Sequence, residues 1–443
     1  MLNSLLLLAA AATVCPHEAK LKEMLPDVFA RSAAHYRAID AAAAPLMNAG
    51  DAAAVDKPCG ERLVLHGWNA KTGRLDMRSI YWWTSGHFPG SLWYLYEATG
   101  DGFFKDRATV WTESIAPNSK VVDHHDTGFI MYCSFGNARR LLKTDKYDGL
   151  LLETANSLST RFNPGLGLIR SWGAPDDKRR FLVIPDNLMN LELLEWAAKA
   201  KGGDKRFDRS ARSHATMTMA NHFRADGGTY HVLDYDQKTL RVKSIERGQG
   251  AGCGSAWSRG QSWAIYGYTM MFRETGDPAY LEFAKKLADF AVDNPNMPGD
   301  GVPYWDFGAP GEERDTSAAA IMASGLLELA TFAKGEKGAK YRAFAVKQLL
   351  SLCSDEYFAK PGRTATGCSS TASATSLPAA RSTPRWITAT TTSLRRCCAS
   401  KPAQDKCERR RGLKDSAHAL RASRRWRLLS SSRLRLYFHQ MLA

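Results

Sequence analysis

Two aspartates set the chemistry open to this chain. Asp186 lies in Ile184-Pro185-Asp186-Asn187-Leu188-Met189-Asn190-Leu191, where a loop turns into an apolar helix. Asp126 lies in Asp123-His124-His125-Asp126-Thr127-Gly128-Phe129, again where a helix follows a long loop. Two carboxylates in one pocket are the usual equipment for acid–base work on sugars. An Asp at a helix start is also what an ordinary N-cap looks like, and both readings stand at this point. The third stretch is Glu246-Arg247-Gly248-Gln249-Gly250-Ala251-Gly252-Cys253-Gly254-Ser255, which runs into Trp257-Ser258-Arg259-Gly260-Gln261-Ser262-Trp263. No Lys-Ser/Thr follows the glycines, so this is no nucleotide loop. The glycines suit close backbone approach to a flat ligand, with Trp257 and Trp263 as stacking faces and Arg259 as a carboxylate clamp. Two core tryptophans and a surface arginine are the plainer reading. His231 and Trp172, each on a loop before a helix, complete the candidates. His124, His125 and Asp126 are adjacent without a third ligand at helical spacing, so neither a metal nor another cofactor is expected.

The elements that position these residues are helical. An apolar helix ends, a Gly or Asp turn follows, and an aromatic opens the next helix at Gly100-Asp101-Gly102-Phe103, Thr144-Asp145-Lys146-Tyr147, Gly203-Asp204-Lys205-Arg206-Phe207, Gly276-Asp277-Pro278-Ala279-Tyr280 and Gly335 to Tyr341. Gly suits the left-handed position that closes one helix, and Asp can cap the next. These joints imply five αα-hairpins, and their uneven spacing argues for a closed toroid with long functional loops on one side. Helices are expected over 18–44, 88–98, 103–116, 127–144, 147–161, 186–201, 207–224, 257–275, 278–293, 315–333 and 339–354. Alternate helices of such a toroid line its centre with their N-termini at one mouth, which brings Asp126 and Asp186 together. Residues 50–80 read as an irregular excursion, and strand-like alternation is confined to Thr229–Val242.

Composition excludes several function classes. The formal charge is +15, but residues 363–443 hold 17 Lys and Arg against 3 Asp and Glu, which leaves residues 1–362 nearly neutral. Nucleic-acid binding by the globular part therefore has no electrostatic support. No CxxC or HExxH spacing marks a zinc site. The apolar run Leu5–Val14 is too short to span a bilayer and is a marginal signal core, so no membrane partner is expected. Secreted and cytoplasmic locations both stay open.

Taken together, the motifs resemble the unsaturated glucuronyl hydrolases of glycoside hydrolase family 88. The resemblance covers roughly residues 80–355 and rests on Trp83-Thr84-Ser85-Gly86 with Phe88-Pro89-Gly90, His125-Asp126-Thr127-Gly128-Phe129, Asp186-Asn187-Leu188-Met189-Asn190, Gly248-Gln249-Gly250, Trp257 to Trp263 and Asp315-Thr316-Ser317-Ala318-Ala319. It implies an all-α (α/α)6 barrel of six hairpins, and hence a twelfth helix. It also implies removal of a 4,5-unsaturated uronic acid from the non-reducing end of lyase-generated oligosaccharides by hydration of the vinyl ether, without a metal. Asp186 matches the residue that protonates C4. Asp126 matches the second aspartate, which holds ring hydroxyls and stabilises positive charge. His125, His231, Gln249, Arg259 and Trp263 match pocket residues, and Trp83 and Trp172 match stacking aromatics. The unsaturated rhamnogalacturonyl hydrolases of family 105 share the barrel, but their counterpart of 257–263 typically has Asn-Gly where this chain has Gln261-Ser262. A catalytically silent sugar-binding barrel is the alternative from another class. Neither the parent polysaccharide nor the oligomeric state is fixed by these residues.

The order of domains expected is an apolar segment over 1–17, the catalytic barrel over 18–362 and an aberrant basic tail over 363–443. Read one nucleotide earlier, residues 386–399 permit an Asp-, Tyr- and Leu-rich segment of the kind that ends family members. A frameshift between Gly362 and Cys368 follows. It removes the twelfth helix and leaves an open barrel with an exposed apolar seam.

Overall fold

The computed structural model describes residues 16–48, 62–69 and 73–358. The apolar N-terminus to residue 15 and the basic tail with its proposed frameshift lie outside the described residues. Helices dominate in the order α1 (Pro16–Ala43), α2 (His87–Thr99), α3 (Gly102–Ser114), α4 (Thr127–Leu142, with a π-helical turn over Tyr132–Gly136), α5 (Asp148–Ser159), α6 (Leu191–Lys199, entered by a 3-10 turn over Pro185–Asn190), α7 (Lys205–Asn221), α8 (Ser258–Thr275), α9 (Pro278–Val292), α10 (Thr316–Phe332) and α11 (Gly335–Leu352).

Sequence pattern decides which of these line the centre. Residues 87–95 of α2 and 316–329 of α10 are buried on every side, as a helix with no polar face must be. In α9 burial is confined to one face (Tyr280, Ala284, Leu287, Ala288, Ala291), which marks an outer helix. The pairs α2/α3, α4/α5, α6/α7, α8/α9 and α10/α11 pack as hairpins, and the inner members follow one another around the axis from α2 through α4, α6 and α8 to α10. The five punctuated joints thus mark five hairpins. Asp101, Asp204 and Asp277 each accept the N–H two residues on, capping α3, α7 and α9. The architecture is the (α/α)6 barrel, with eleven helices among the described residues; the place expected for a twelfth, after Phe358, lies outside them.

Three expectations need correction. Residues 63–69 and 74–79 are not irregular: β1 (Leu63–Asn69) and β2 (Arg74–Ser79) pair antiparallel with a register shift between Leu65 and Gly67, and that shift spoils the alternation a strand would show. Strand is also not confined to one hairpin. Besides the short pair β3 (Phe162–Asn163) and β4 (Leu168–Ile169), β5 (Leu182–Val183) adds to β6 (Val232–Asp236) and β7 (Arg241–Glu246) in a three-stranded sheet beside the mouth. The last helix starts at Gly335 rather than 339, because Lys334 is already extended and turns the chain. Helix α1 packs on both α2 and α11, at the two ends of the described ring; the expected apolar seam turns on residues after Phe358, which lie outside the described ones. Among the described residues no helix is long and apolar enough to cross a membrane.

One inner-helix group is poised to report on folding. The Glu195 side chain is fully buried, its nearest cation is Lys199 at 3.8 Å, and neither carboxylate oxygen accepts a hydrogen bond from the described residues. Burial, aided by the nearby Asp208, pushes its pKa up to about 7 from an ordinary 4.5. A raised carboxyl pKa means that the native state holds a proton the unfolded chain gives up, so stability falls as pH rises from the unfolded value through the folded one. Glu195→Gln should therefore unfold in urea like the parent near pH 4.5, and should be more stable by up to about 3 kcal/mol near pH 8. A stability gap that does not change with pH would show that Glu195 is ionised in the fold.

Candidate active site

Four of the inner helices, α4, α6, α8 and α10, present their starts to one mouth. Asp126, Asp186, Arg259 and Asp315 lie there. The two candidate acids differ from the other helix-starting aspartates in one respect. Asp315 caps α10 through the Ala318 N–H at 2.8 Å, as Asp101, Asp204 and Asp277 cap their helices. Asp126 stands at the cap position of α4 without a side-chain cap bond. Asp186 is one residue inside its 3-10 turn and likewise caps nothing. The N-cap reading fails for both, and their carboxylates are left to other work.

Asp126 is buried between two imidazoles, with His125 Nε2 3.4 Å from Oδ1 and His124 Nδ1 3.5 Å from Oδ2. Burial works against ionisation, but His125, His124 and the more distant Arg161 outweigh it and hold the carboxyl below its ordinary value. Asp126 is thus an anion at neutral pH. Burial pushes the His125 pKa down, against the pull of Asp126, the neighbouring Asn187 amide and the charge of Asp186. That ring feels both carboxylates.

Asp186 has a different setting. Its Oδ2 is buried, accepts no hydrogen bond from the described residues and faces His231 Nε2 at 3.7 Å. The Gln249 backbone N–H donates to His231 Nδ1 at 2.8 Å, so in the neutral ring the proton sits on Nε2, toward Asp186. Gly248 makes this contact possible: a Cβ there would lie 1.9 Å from His231 Nδ1. The glycine loop thus closes on a histidine, and Gln249 contributes its backbone while its side chain is half-buried. Trp257 and Trp172 flank the His231 ring at 4.7 and 6.3 Å, and Trp172 is held in place by a β-bridge to Leu182.

Below the aspartates the floor is aromatic. Phe129 meets Trp263 at 5.2 Å, His87 at 6.0 Å and Trp83 at 6.2 Å. Trp263 is fully buried in that floor, which corrects its expected role as an open stacking face: one helical turn inside α8 it packs on Phe129 and Met189 rather than reaching the mouth. Trp83 is partly exposed, and Trp172 is 37% exposed, so these two offer faces to a ligand. The carboxylate that Arg259 clamps in this structure is Asp315, whose Oδ2 accepts from Nε at 3.1 Å and Nη2 at 2.9 Å. This pair ties α8 to α10.

Three residues of the mouth were given no role by the sequence. Asn190 joins the two acid-bearing turns by accepting the Phe129 N–H at 2.8 Å; it stands a helical turn after Asp186, and that spacing is the signal that could have found it. Asp306 is buried and anchors the glycine loop, accepting from Ala251 N–H at 3.0 Å and Ser255 Oγ at 2.8 Å. Its local partner, the Gly308 N–H, makes an ordinary turn bond, and the loop it anchors lies some fifty residues earlier, so the sequence does not mark its role. Arg161 is buried and donates to the carbonyls of Val122, Arg170 and Gly173, binding together the loops that carry Asp126 and Trp172. Among the described residues no group of three or more His, Cys, Asp and Glu is arranged to hold a metal ion. A groove of about 660 Å³ lined by Arg224, Phe290, Asn296 and Phe307 lies behind the glycine loop; neither aspartate lines it.

No protein-family model matches the chain. The chain is 43% identical over 285 residues to an unsaturated glucuronyl hydrolase of Formosa agariphila, covering 63% of this chain and 70% of that protein. It is 36% identical over 256 residues to an unsaturated glucuronyl hydrolase of Bacillus sp. (strain GL1), covering 56% of this chain and 67% of that one. The crystal structure of an unsaturated glucuronyl hydrolase specific for heparin superposes with a TM-score of 0.69 at 39% identity, over 77% of this chain and 86% of its own.

The close approach of the two acid-bearing turns is testable without any substrate. A Cβ on Gly128 would lie 2.7 Å from Asn190 Cα and Oδ1, both held by the chain that carries Asp186. Gly128→Ala should cost about 1–3 kcal/mol in urea unfolding. An unchanged unfolding midpoint would mean that the two turns are further apart than described.

Proposed function

Because the chain belongs to the unsaturated glucuronyl hydrolase family, we propose that it removes a 4,5-unsaturated uronic acid from the non-reducing end of glycosaminoglycan oligosaccharides, with Asp186 as proton donor. The observation that carries the assignment is the contrast between the two aspartates. Asp126 is held as an anion by the groups around it, whereas Asp186 Oδ2 sits in the mouth without a hydrogen-bond partner among the described residues. One is suited to stabilise charge and the other to pass a proton.

In the proposed reaction the Asp186 carboxyl adds its proton to C4 of the C4=C5 double bond. Positive charge develops at C5 and the ring oxygen, and the Asp126 carboxylate stabilises it across the buried site. Water adds to C5 and gives its proton to the Asp186 carboxylate, which restores the acid. The C5 hemiketal then opens to a ketone, the ring oxygen stays on C1, and the resulting C1 hemiacetal collapses to an aldehyde and expels the rest of the oligosaccharide. Water never attacks the anomeric carbon, so the carboxylate spacing that separates retaining from inverting glycosidases has no bearing here. His231, with its proton on Nε2 and its Nδ1 held by the Gln249 N–H, orients Asp186. Trp83 and Trp172 supply apolar faces for the sugar, and Arg259, already paired with Asp315, adds positive potential at the mouth for the uronate.

Asp186→Asn should lower the rate at which the ultraviolet absorbance of the ring double bond disappears by about 10²–10⁴-fold, with the unfolding midpoint close to that of the parent. Undiminished turnover by a folded variant would remove Asp186 from the mechanism. Ligand binding without turnover by the unsubstituted protein would instead favour a silent binding barrel.

A further inference from the structure

Between the two aspartates lie three fully buried polar side chains, of which the mechanism uses none: His125, Asn187 and Asn190. Their orientations follow from partners that can play only one role. The Phe129 backbone N–H can only donate, and it donates to Asn190 Oδ1 at 2.8 Å, so the Asn190 Nδ2 points the other way. The Ile169 carbonyl can only accept, and it takes Asn187 Nδ2–H at 2.8 Å, so Asn187 turns Oδ1 inward. Asn190 Nδ2 has Asn187 Oδ1 at 3.4 Å and His125 Nδ1 at 3.5 Å within reach, and the ring nitrogen accepts from it only in the Nε2–H tautomer. The other ring nitrogen, His125 Nε2, faces Asp126 Oδ1 at 3.4 Å. The opposite tautomer would turn Nδ1–H toward Asn187 Oδ1 and set a bare Nε2 lone pair against an ionised carboxylate, which electrostatics disfavours.

Resting on the roles given above to Asp126 and Asp186, we propose that Asn190 is a positioning residue that fixes His125 as the Nε2–H tautomer directed at Asp126 and sets the spacing between the two carboxylates. The arrangement repeats on the second wall. There the Gln249 N–H plays for His231 and Asp186 the part that the Asn190 Nδ2–H plays for His125 and Asp126. The groups that face His125 are Asp126, Asp186, Arg161 and His214, together with the two amides. Any change in its protonation is therefore felt by both carboxylates.

Asn190→Asp is the discriminating variant. It keeps an acceptor for the Phe129 N–H but replaces the donor to His125 with an anion. With an unsaturated glycosaminoglycan disaccharide as substrate, kcat should fall about 10- to 100-fold while KM stays within about threefold. The kcat–pH profile should gain a limb near neutrality, because three carboxylates now draw a second proton onto His125. Wild-type kcat, or a lower kcat with a profile of unchanged shape, overturns the proposal. A second readout needs no folded variant at position 190: NMR of the unsubstituted protein with isotope-labelled histidine, assigned with His125→Gln, should show a protonated Nε2 and a bare Nδ1 for His125. A protonated Nδ1 overturns the proposal. Failure of the catalytic assignment itself would appear separately, as activity retained in Asp186→Asn, and would leave the tautomer as it is.

Discussion

The site depends on a close approach of two backbones. The start of α4 and the 3-10 turn before α6 meet at Gly128 and Asn190 with no room for a Cβ, and the Phe129 N–H is spent on Asn190 rather than on a helix cap. Everything chemical at the mouth is referred to that contact: Asp126 stands two residues before Gly128 and Asp186 four before Asn190. Capping would have fixed each carboxylate to its own helix. Leaving the caps off points both into a shared space, at the cost of burying Asp126.

The opposite wall solves the same problem with different parts. A glycine-rich loop has few side chains to hold it, so the buried Asp306 gathers it through the Ala251 N–H and the Ser255 hydroxyl, and Gly248 then lets the loop press against His231. The Arg259–Asp315 pair locks α8 to α10, and Arg161 ties three loop carbonyls beneath the mouth. Buried ions of this kind add little net stability, but removing one partner is costly, which makes them effective at fixing geometry. The floor of Phe129, Trp263 and Met189 completes a dry, rigid base.

How much of this was legible follows from how local each signal is. Helix punctuation is written in adjacent residues, so Gly-Asp joints gave five hairpins, and three of the joint aspartates do cap. The site aspartates could not be told from caps by sequence, because Asp126 and Asp315 sit in the same kind of position and differ only in what surrounds them. Trp263 carried the composition of a stacking residue, yet a single helical turn decided that it faces the floor. Asp306 acts on a loop some fifty residues earlier and Arg161 on backbone carbonyls, which any residue supplies, so no pattern of spacing marks them. The β1–β2 pair was hidden by its register shift near Gly67, which breaks the alternation on which a strand reading depends.

The central claim is that two differently held carboxylates hydrate a double bond rather than cleave a glycosidic bond directly. Turnover of an unsaturated glycosaminoglycan disaccharide in deuterium oxide tests it most directly, with the released uronate examined by NMR before it can exchange. The account gives one deuterium at C4 in a single configuration, delivered by the carboxyl of Asp186 to one face of the ring, with one double bond lost for each sugar released. Release of the uronic acid with its double bond intact, or deuterium at C4 in both configurations, would contradict it.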